Sequence, residues 1–446
     1  IEVLIDLYFY ATIAKGGEFM IETVKKQAAS SKWYIKTAFK WSLIALLIGI
    51  ICGAVGAVFS ISISKVTVLR ISYPYLLYIL PLAGITIVFI YKKFNVSGLG
   101  TDDVIVAARE GSNMQFLQVP AIFIGTILTH LCGGSAGREG AALQIGGGIA
   151  NKLSRTLKLN QNDTKILTRV GMAAFFSALF GTPVAATAFG TMVVNVGTIP
   201  YSAVFPGLLA SIISADLAAF LGASPERFHV AAPVFSHVML LKVAVLSVLC
   251  AVVSILFINI LHFVGDLYKK YFNNAYYKVI FGGFLIIILT IILQTGDYNG
   301  AGVNVIERAI EHGQAKPFAF LIKILFTAIT LEAGFKGGEV VPSFFIGATF
   351  GCWIAPLLGI PAGFGAAIGM IGVFGGATNS FLSPLFLSVE VFQSAGFLYF
   401  AVVSIICYLF SGYSGLYSSQ RIVYSKLGIE QIDAHPNHYH ESENKR

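Results

Sequence analysis

From about residue 41 to residue 410 the chain is a succession of apolar runs, most of them cut by Gly-Gly or Gly-X-Pro. A straight helix needs about 20 apolar residues to cross about 30 Å of hydrocarbon. The runs near 73–91, 116–132, 164–180, 182–196, 317–333, 341–357 and 363–375 all fall short of that. Broken helices at membrane depth are tolerated only where protein buries the freed backbone or where it lines a cavity. Such a chain folds as an all-α integral membrane protein of broken and tilted helices around an internal site. Composition agrees, with 56% apolar and 12% charged residues, where a soluble domain carries about 25% charged residues.

The net charge of +8 gathers near the ends and in short loops. Lys25, Lys26, Lys32, Lys36 and Lys40 precede the first long apolar run, which predicts a cytoplasmic N-terminus. With no soluble domain to present them, these lysines do not suggest a nucleic-acid partner; the partner they imply is the bilayer. Residues 1–19 carry Glu2, Asp6 and Glu18 and no convincing cleavage site, so a signal peptide is not expected. Met20 looks like a natural start, and 1–19 reads as an extension or a short surface helix. Beyond about 418 the chain turns polar, giving a solvated tail that includes His435, His438 and His440. The expected organisation is a cytoplasmic segment 1–40, membrane halves 41–235 and 236–418, and a cytoplasmic tail 419–446, in a multi-pass protein of the cell membrane. Cys52, Cys132, Cys250, Cys352 and Cys407 are scattered through apolar segments and read as small buried hydrophobes.

Two glycine-flanked glutamates stand out in this charge-poor setting. One lies in Gly133-Gly134-Ser135-Ala136-Gly137-Arg138-Glu139-Gly140, the other in Gly334-Phe335-Lys336-Gly337-Gly338-Glu339-Val340-Val341-Pro342. Each precedes an apolar run able to form a helix. A carboxylate at membrane depth is expensive and marks a functional site by default. A helix start exposes unpaired N–H groups that suit an anion. The two motifs, each followed by a further glycine at 147 and 347, are related by a constant shift of 200 residues. A second echo links Gly171-Met172 and Thr182-Pro183 with Gly369-Met370 and Ser383-Pro384. Paired short, glycine-broken segments in two halves are the mark of a midplane site between inverted repeats. No phosphate-cradling Gly-X-X-X-X-Gly-Lys-Ser/Thr loop and no His/Cys ligand cluster accompany them, so neither ATP drive, a metal, a cofactor nor an enzyme activity is expected.

These motifs resemble the CLC family of anion channels and anion/proton antiporters. Gly137-Arg138-Glu139-Gly140 is similar to that family's Gly-Arg-Glu-Gly-Pro signature, with Ala141 in the proline's place. Gly337-Gly338-Glu339-Val340-Val341-Pro342 falls on its Gly-Gly-X-Phe-X-Pro signature, Gly415-Leu416-Tyr417-Ser418 on its pore-tyrosine segment, and Gly181-Thr182-Pro183-Val184-Ala185 on its interface helix. The resemblance spans roughly 35–425. Ser97-Gly98-Leu99-Gly100-Thr101 resembles the Gly-Met-Gly style motif of the fluoride/proton branch, with Leu99 in the methionine place. Met192-Val193-Val194 lacks the inner glutamate of chloride/proton exchangers, and Glu339 stands where the fluoride branch has its second acid. That branch commonly carries threonine where this chain has Val341, and a small gap would align Ser97 with the chloride-coordinating serine of the other branch.

The resemblance implies a CLC-type fold of two inverted-topology repeats, working as a homodimer with one pore per subunit. It implies export of fluoride in exchange for inward protons, with a chloride/proton antiporter or passive chloride channel as the alternative. Glu139 would be the external gate and proton carrier, and Glu339 the second acid. Ser97, Gly98, Leu99, Gly100, Arg138, Gly140, Val340, Val341 and Tyr417 would line the anion path. A gating carboxylate and an anion compete for one place, and that competition couples their movements. Protons on two nearby acids then belong to the pair. Blander readings stand beside these. Glu139 could simply favour a helix start by about 0.3–1 kcal/mol. Glu339 could pair with Lys336 or Lys323, Arg138 could partner a buried acid, and Glu332 and Glu390 could be structural. The apolar faces of 171–196 and 370–396 are expected at the dimer interface.

Overall fold

The computed structural model describes residues 2–393, 396–428 and 430–437, with side chains from residue 33 onward. His438 and His440 lie outside it. The first half contains α1 (Glu2–Ser72), α2 (Leu80–Lys93), α3 (Thr101–Glu110), α4 (Gln118–Leu131), α5 (Glu139–Thr156), α6 (Gln161–Phe180), α7 (Pro183–Met192) and α8 (Tyr201–Phe220). The second contains α9 (His237–Tyr271), α10 (Ala275–Leu293), α11 (Val303–Glu311), α12 (Ala319–Ala333), α13 (Val340–Ile354), α14 (Ala362–Thr378), α15 (Leu382–Phe392) and α16 (Phe397–Phe410). Among the described residues six stretches are long and apolar enough to cross a membrane: Trp33–Ser72, Pro74–Lys93, Tyr201–Phe220, His237–Tyr271, Ala275–Leu293 and Val340–Leu358.

Close backbone packing repeats in the two halves. A Cβ added at Gly146 on α5 would lie 2.2 Å from the Gly171 carbonyl on α6, and one at Gly347 on α13 would lie 2.1 Å from that of Gly369 on α14. Lipid supplies no hydrophobic drive between helices, so such small-residue contacts carry much of their association. Both helices that begin at the glutamate motifs are thereby locked against a glycine-bearing neighbour. The halves are also stitched at α7, where the Glu390 carboxylate of α15 accepts the N–H groups of Val184 and Ala185, at 2.9 Å each. Glu390 thus caps a helix of the other half. The glycine echo at 171 and 369 reports this packing.

Three features differ from expectation or extend it. Helix α1 runs unbroken through residues 40 and 41, where the cytoplasmic segment was placed to end. The polar tail is folded against the membrane helices: β2 (Arg421–Tyr424) pairs in parallel with β1 (Asn195–Val196) and antiparallel with β3 (Gln431–Ala434). The proposed dimer faces are largely interior, since 171–180 and 370–378 are buried within the protomer. Apolar composition cannot separate a helix packed in protein from one that meets lipid, and here α6 and α14 are central. The five cysteines are buried and unpaired.

Candidate functional site

Helices α5 and α13 point their N-termini at one another. Gly137 N–H donates to the Gly338 carbonyl at 2.7 Å and Gly338 N–H to that of Gly137 at 3.0 Å, a two-bond antiparallel bridge between the motifs. The bridge leaves no room for side chains. A Cβ at Gly338 would lie 2.3 Å from the Gly140 nitrogen, and one at Gly137 would lie 2.3 Å from Glu139 Oε2.

Glu139, the first residue of α5, is fully buried. Its Oε2 accepts from Arg138 N–H at 3.0 Å and from Val341 N–H, in the first turn of α13, at 3.1 Å. Oε1 is shielded and has no partner among the described residues. A helix N-terminus of one half therefore holds the carboxylate of the other, in the place where an anion binds such a terminus. The chemical capacity follows. An anion at this spot would take the Val341 N–H, and the carboxylate would have to leave.

The remaining expected residues divide by role. Arg138 turns its side chain away from the cradle, donating to Glu226 Oε1 at 2.7 Å, Ser60 Oγ at 3.1 Å and the Leu179 carbonyl at 3.2 Å. Its backbone N–H serves the cradle, while its side chain partners an acid as expected, though that acid, Glu226, is half-buried rather than buried. Glu339 stands at the start of α13 without a side-chain hydrogen bond to its first turn, and its Oε2 is shielded without a partner among the described residues. The ion pairs considered for it are absent among the described residues. Lys323 donates to the carbonyls of Tyr298 at 3.1 Å and Gly300 at 2.6 Å, while Lys336 sits 4.2 Å from the Tyr91 ring centroid. Tyr417 is 2% exposed with an unpartnered hydroxyl, within electrostatic reach of Glu339 and Glu139. Val340 and Gly140 are buried at the bridge.

Ser97 to Gly100 form the turn into α3. Gly98 has φ +83°, a left-handed conformation that glycine adopts without penalty. Gly100 N–H is capped by Asp103 Oδ2 at 2.7 Å. Ser97 is exposed, whereas Leu99 and Gly100 are half-buried. Sequence reasoning missed the residues that hold this turn and the tyrosine loop. Gln118 Nε2 donates to the Gly100 carbonyl at 3.2 Å and to Gln144 Oε1 at 3.1 Å, and Gln144 Nε2 donates to Thr101 Oγ1 at 3.1 Å. Asp102 accepts from Ser418 Oγ at 2.7 Å and Ser419 N–H at 2.9 Å, tying Tyr417's loop to α3. Two amides within apolar runs were the available signal, since buried amides need partners.

A cavity of about 780 Å³ opens beside the cradle, walled by the C-terminal end of α1, the end of α10 and the loop before α11. Arg138, Glu226 and Val341 line it, so its wall reaches the segment whose backbone holds Glu139. Two halves of glycine-broken helices whose N-termini meet on one buried carboxylate define a membrane protein with an anion-type cradle at its centre.

Comparison with known proteins narrows the class. The family model of the voltage gated chloride channel matches residues 83–412, and the chain belongs to this family, the CLC proteins. It is 32% identical over 396 residues to a chloride/fluoride channel protein of Pseudomonas syringae pv. tomato, covering 87% of each chain. It is 23% identical to an H(+)/Cl(-) exchange transporter of Vibrio cholerae, over 80% of this chain and 82% of that one. Among solved structures, a CLC-type fluoride/proton antiporter superposes with TM-score 0.83 at 32% identity, covering 86% of this chain and 98% of that one. A slow cyanobacterial Cl-/H+ antiporter superposes with TM-score 0.72 at 19% identity, covering 83% and 94%.

Proposed function

We propose that this chain exports cytoplasmic fluoride in exchange for inward protons, with Glu139 as gate and proton carrier. The observation that carries the reading is the seat of the Glu139 carboxylate on the Val341 N–H of the opposite half. Charged, the side chain occupies the anion's place; protonated, it loses its hold on the two amides and yields to fluoride. Fluoride is small and strongly hydrated, so its dehydration calls for strong donors. The unpartnered groups of Glu339 and Tyr417 are suited to this, the first when protonated and the second as a phenol. The likeness to the fluoride/proton antiporter supports fluoride as the anion and a proton as its counter-substrate. The lysines at 25–40, in the part of α1 that precedes its long apolar run, support a cytoplasmic N-terminus. One crossing by α1 then puts Arg70 and the large cavity at the outer side. A homodimer with a path in each subunit is the assembly the family suggests.

The deciding experiment is fluoride-gradient-driven proton movement in liposomes, run beside chloride. Fluoride efflux with opposing proton flux, and much weaker chloride efflux, is expected. Equal chloride efflux would remove the fluoride assignment, and fluoride flux without any pH change would make the protein a channel.

A further inference from the structure

The outer cavity contains a guanidinium for which no described residue serves as acceptor. Arg70, in the last turn of α1, lies against Gly300, where a Cβ would be 3.1 Å from its Nη1. Its Nε is shielded from solvent and makes no hydrogen bond. Among the described residues Arg70 joins no ion pair, and both acids of the cavity are already engaged. Glu226 holds Arg138 at 2.7 Å, and Asp297 holds Arg308 at 3.1 Å and Lys316 at 3.4 Å. A guanidinium carries five N–H donors and cannot shed its charge, and a half-buried charge without a partner is costly. No described residue supplies its acceptor, which leaves the forked donors free for a group that enters the cavity.

We infer that Arg70 forms an outer anion site, where a hydrated halide waits between bulk solvent and the Glu139 gate. The cavity wall includes both Arg70 and Val341, the residue whose N–H clasps Glu139, so an anion held there is drawn toward the gate segment. At about 780 Å³ the cavity is far larger than a bare halide, leaving room for its water at about 30 Å³ per molecule. The site therefore concentrates anions without dehydrating them. Final selection is left to the dry cradle. This rests on the transport reading above, but not on which halide is carried.

The test is uptake of fluoride, and separately of chloride, from the outer side of liposomes holding the full chain or its Arg70→Gln variant. The half-saturating outer anion concentration is expected to rise about tenfold, the size of one lost charge-assisted contact, with the maximal rate kept. Arg70→Lys, which keeps the charge without the forked donors, should fall between. An unchanged half-saturation, or a fall in maximal rate alone, would overturn the inference. The unsubstituted chain provides a second readout, in which outer fluoride should slow modification of Arg70 by phenylglyoxal. Protection that follows the anionic-lipid content of the vesicles, and ignores fluoride, would assign the site to a lipid phosphate and overturn the halide. Failure of the fluoride/proton reading would appear elsewhere, as absent proton coupling in the unsubstituted chain.

Discussion

Glu139 and Glu339 open equivalent helices in the two halves, yet their surroundings differ. Glu139 is fully buried and accepts two amide N–H groups, one of them from the opposite half. Glu339 makes no such contact: its Oε2 is unpartnered, and part of the residue remains accessible. The asymmetry arises because the Gly137–Gly338 bridge brings Val341 to the Glu139 side chain, with no reciprocal hydrogen bond to Glu339 among the described residues. In the proposed mechanism the first acid would compete with an anion, and the second would donate when it carries a proton.

The largest break in this comparison comes from Glu139→Gln. An amide cannot carry the proton, so proton flux driven by fluoride is expected to fall at least about 100-fold, measured with a pH-sensitive dye inside vesicles. Glu339→Gln should cost less, about tenfold in coupled fluoride throughput, because an amide still donates a hydrogen bond but cannot cycle its proton; stopped-flow fluoride efflux measures it. An effect as large as that of Glu139→Gln would erase the distinction between the two acids. Gly338→Ala tests the bridge that creates the asymmetry. Its Cβ would meet the Gly140 nitrogen at 2.3 Å, so a destabilisation of about 1–3 kcal/mol is expected, seen as a lowered Tm in detergent with transport also impaired.

Smaller effects are expected away from the cradle. Glu390→Gln removes the charge from the cap of α7 and should destabilise by about 0.5–2 kcal/mol, readable by thermal unfolding, with coupling unchanged. In the tail, Lys426 donates to Asn379 Oδ1 at 2.6 Å, the Tyr408 carbonyl at 2.7 Å and Ser411 Oγ at 3.1 Å. Burial pushes its ammonium down to about 7 from an ordinary value of 10.5. Between those values the undocked tail binds more protons than the docked one, so docking strengthens as pH rises from about 7 toward 10.5. Below about 7 both forms are protonated and the dependence vanishes. Hydrogen-exchange protection of 421–434 should accordingly increase from pH 7 to pH 9 after correction for intrinsic exchange, and Lys426→Met should remove the trend.

Much of this was visible in the residues. The acids stood out as charges in apolar surroundings, the broken helices as glycine pairs, and the repeat as a 200-residue shift. Glu226 gave no signal, because it lies in an ordinary polar loop and matters only through Arg138, 88 residues away. Gln118 and Gln144 were passed over for a similar reason, since their partners lie on the turn before α3. The tail looked solvated because its charges are ordinary, and only pairing with Asn195–Val196 shows it docked.

Low charge and interrupted hydrophobicity were enough to require a lipid-embedded helical bundle with protected breaks, since unsatisfied backbone has no other refuge in hydrocarbon. Spacing alone could also mark Glu139 and Glu339 as counterparts. Which carboxylate would be clasped, and by which half, depended on two helix tips brought together across about 200 residues of chain. The same is true of Arg70, which joins no ion pair among the described residues while other cations hold both acids of its cavity. Hydrogen-bond donation and charge balance act over a few ångströms, and distances of that size between remote segments are settled in folding.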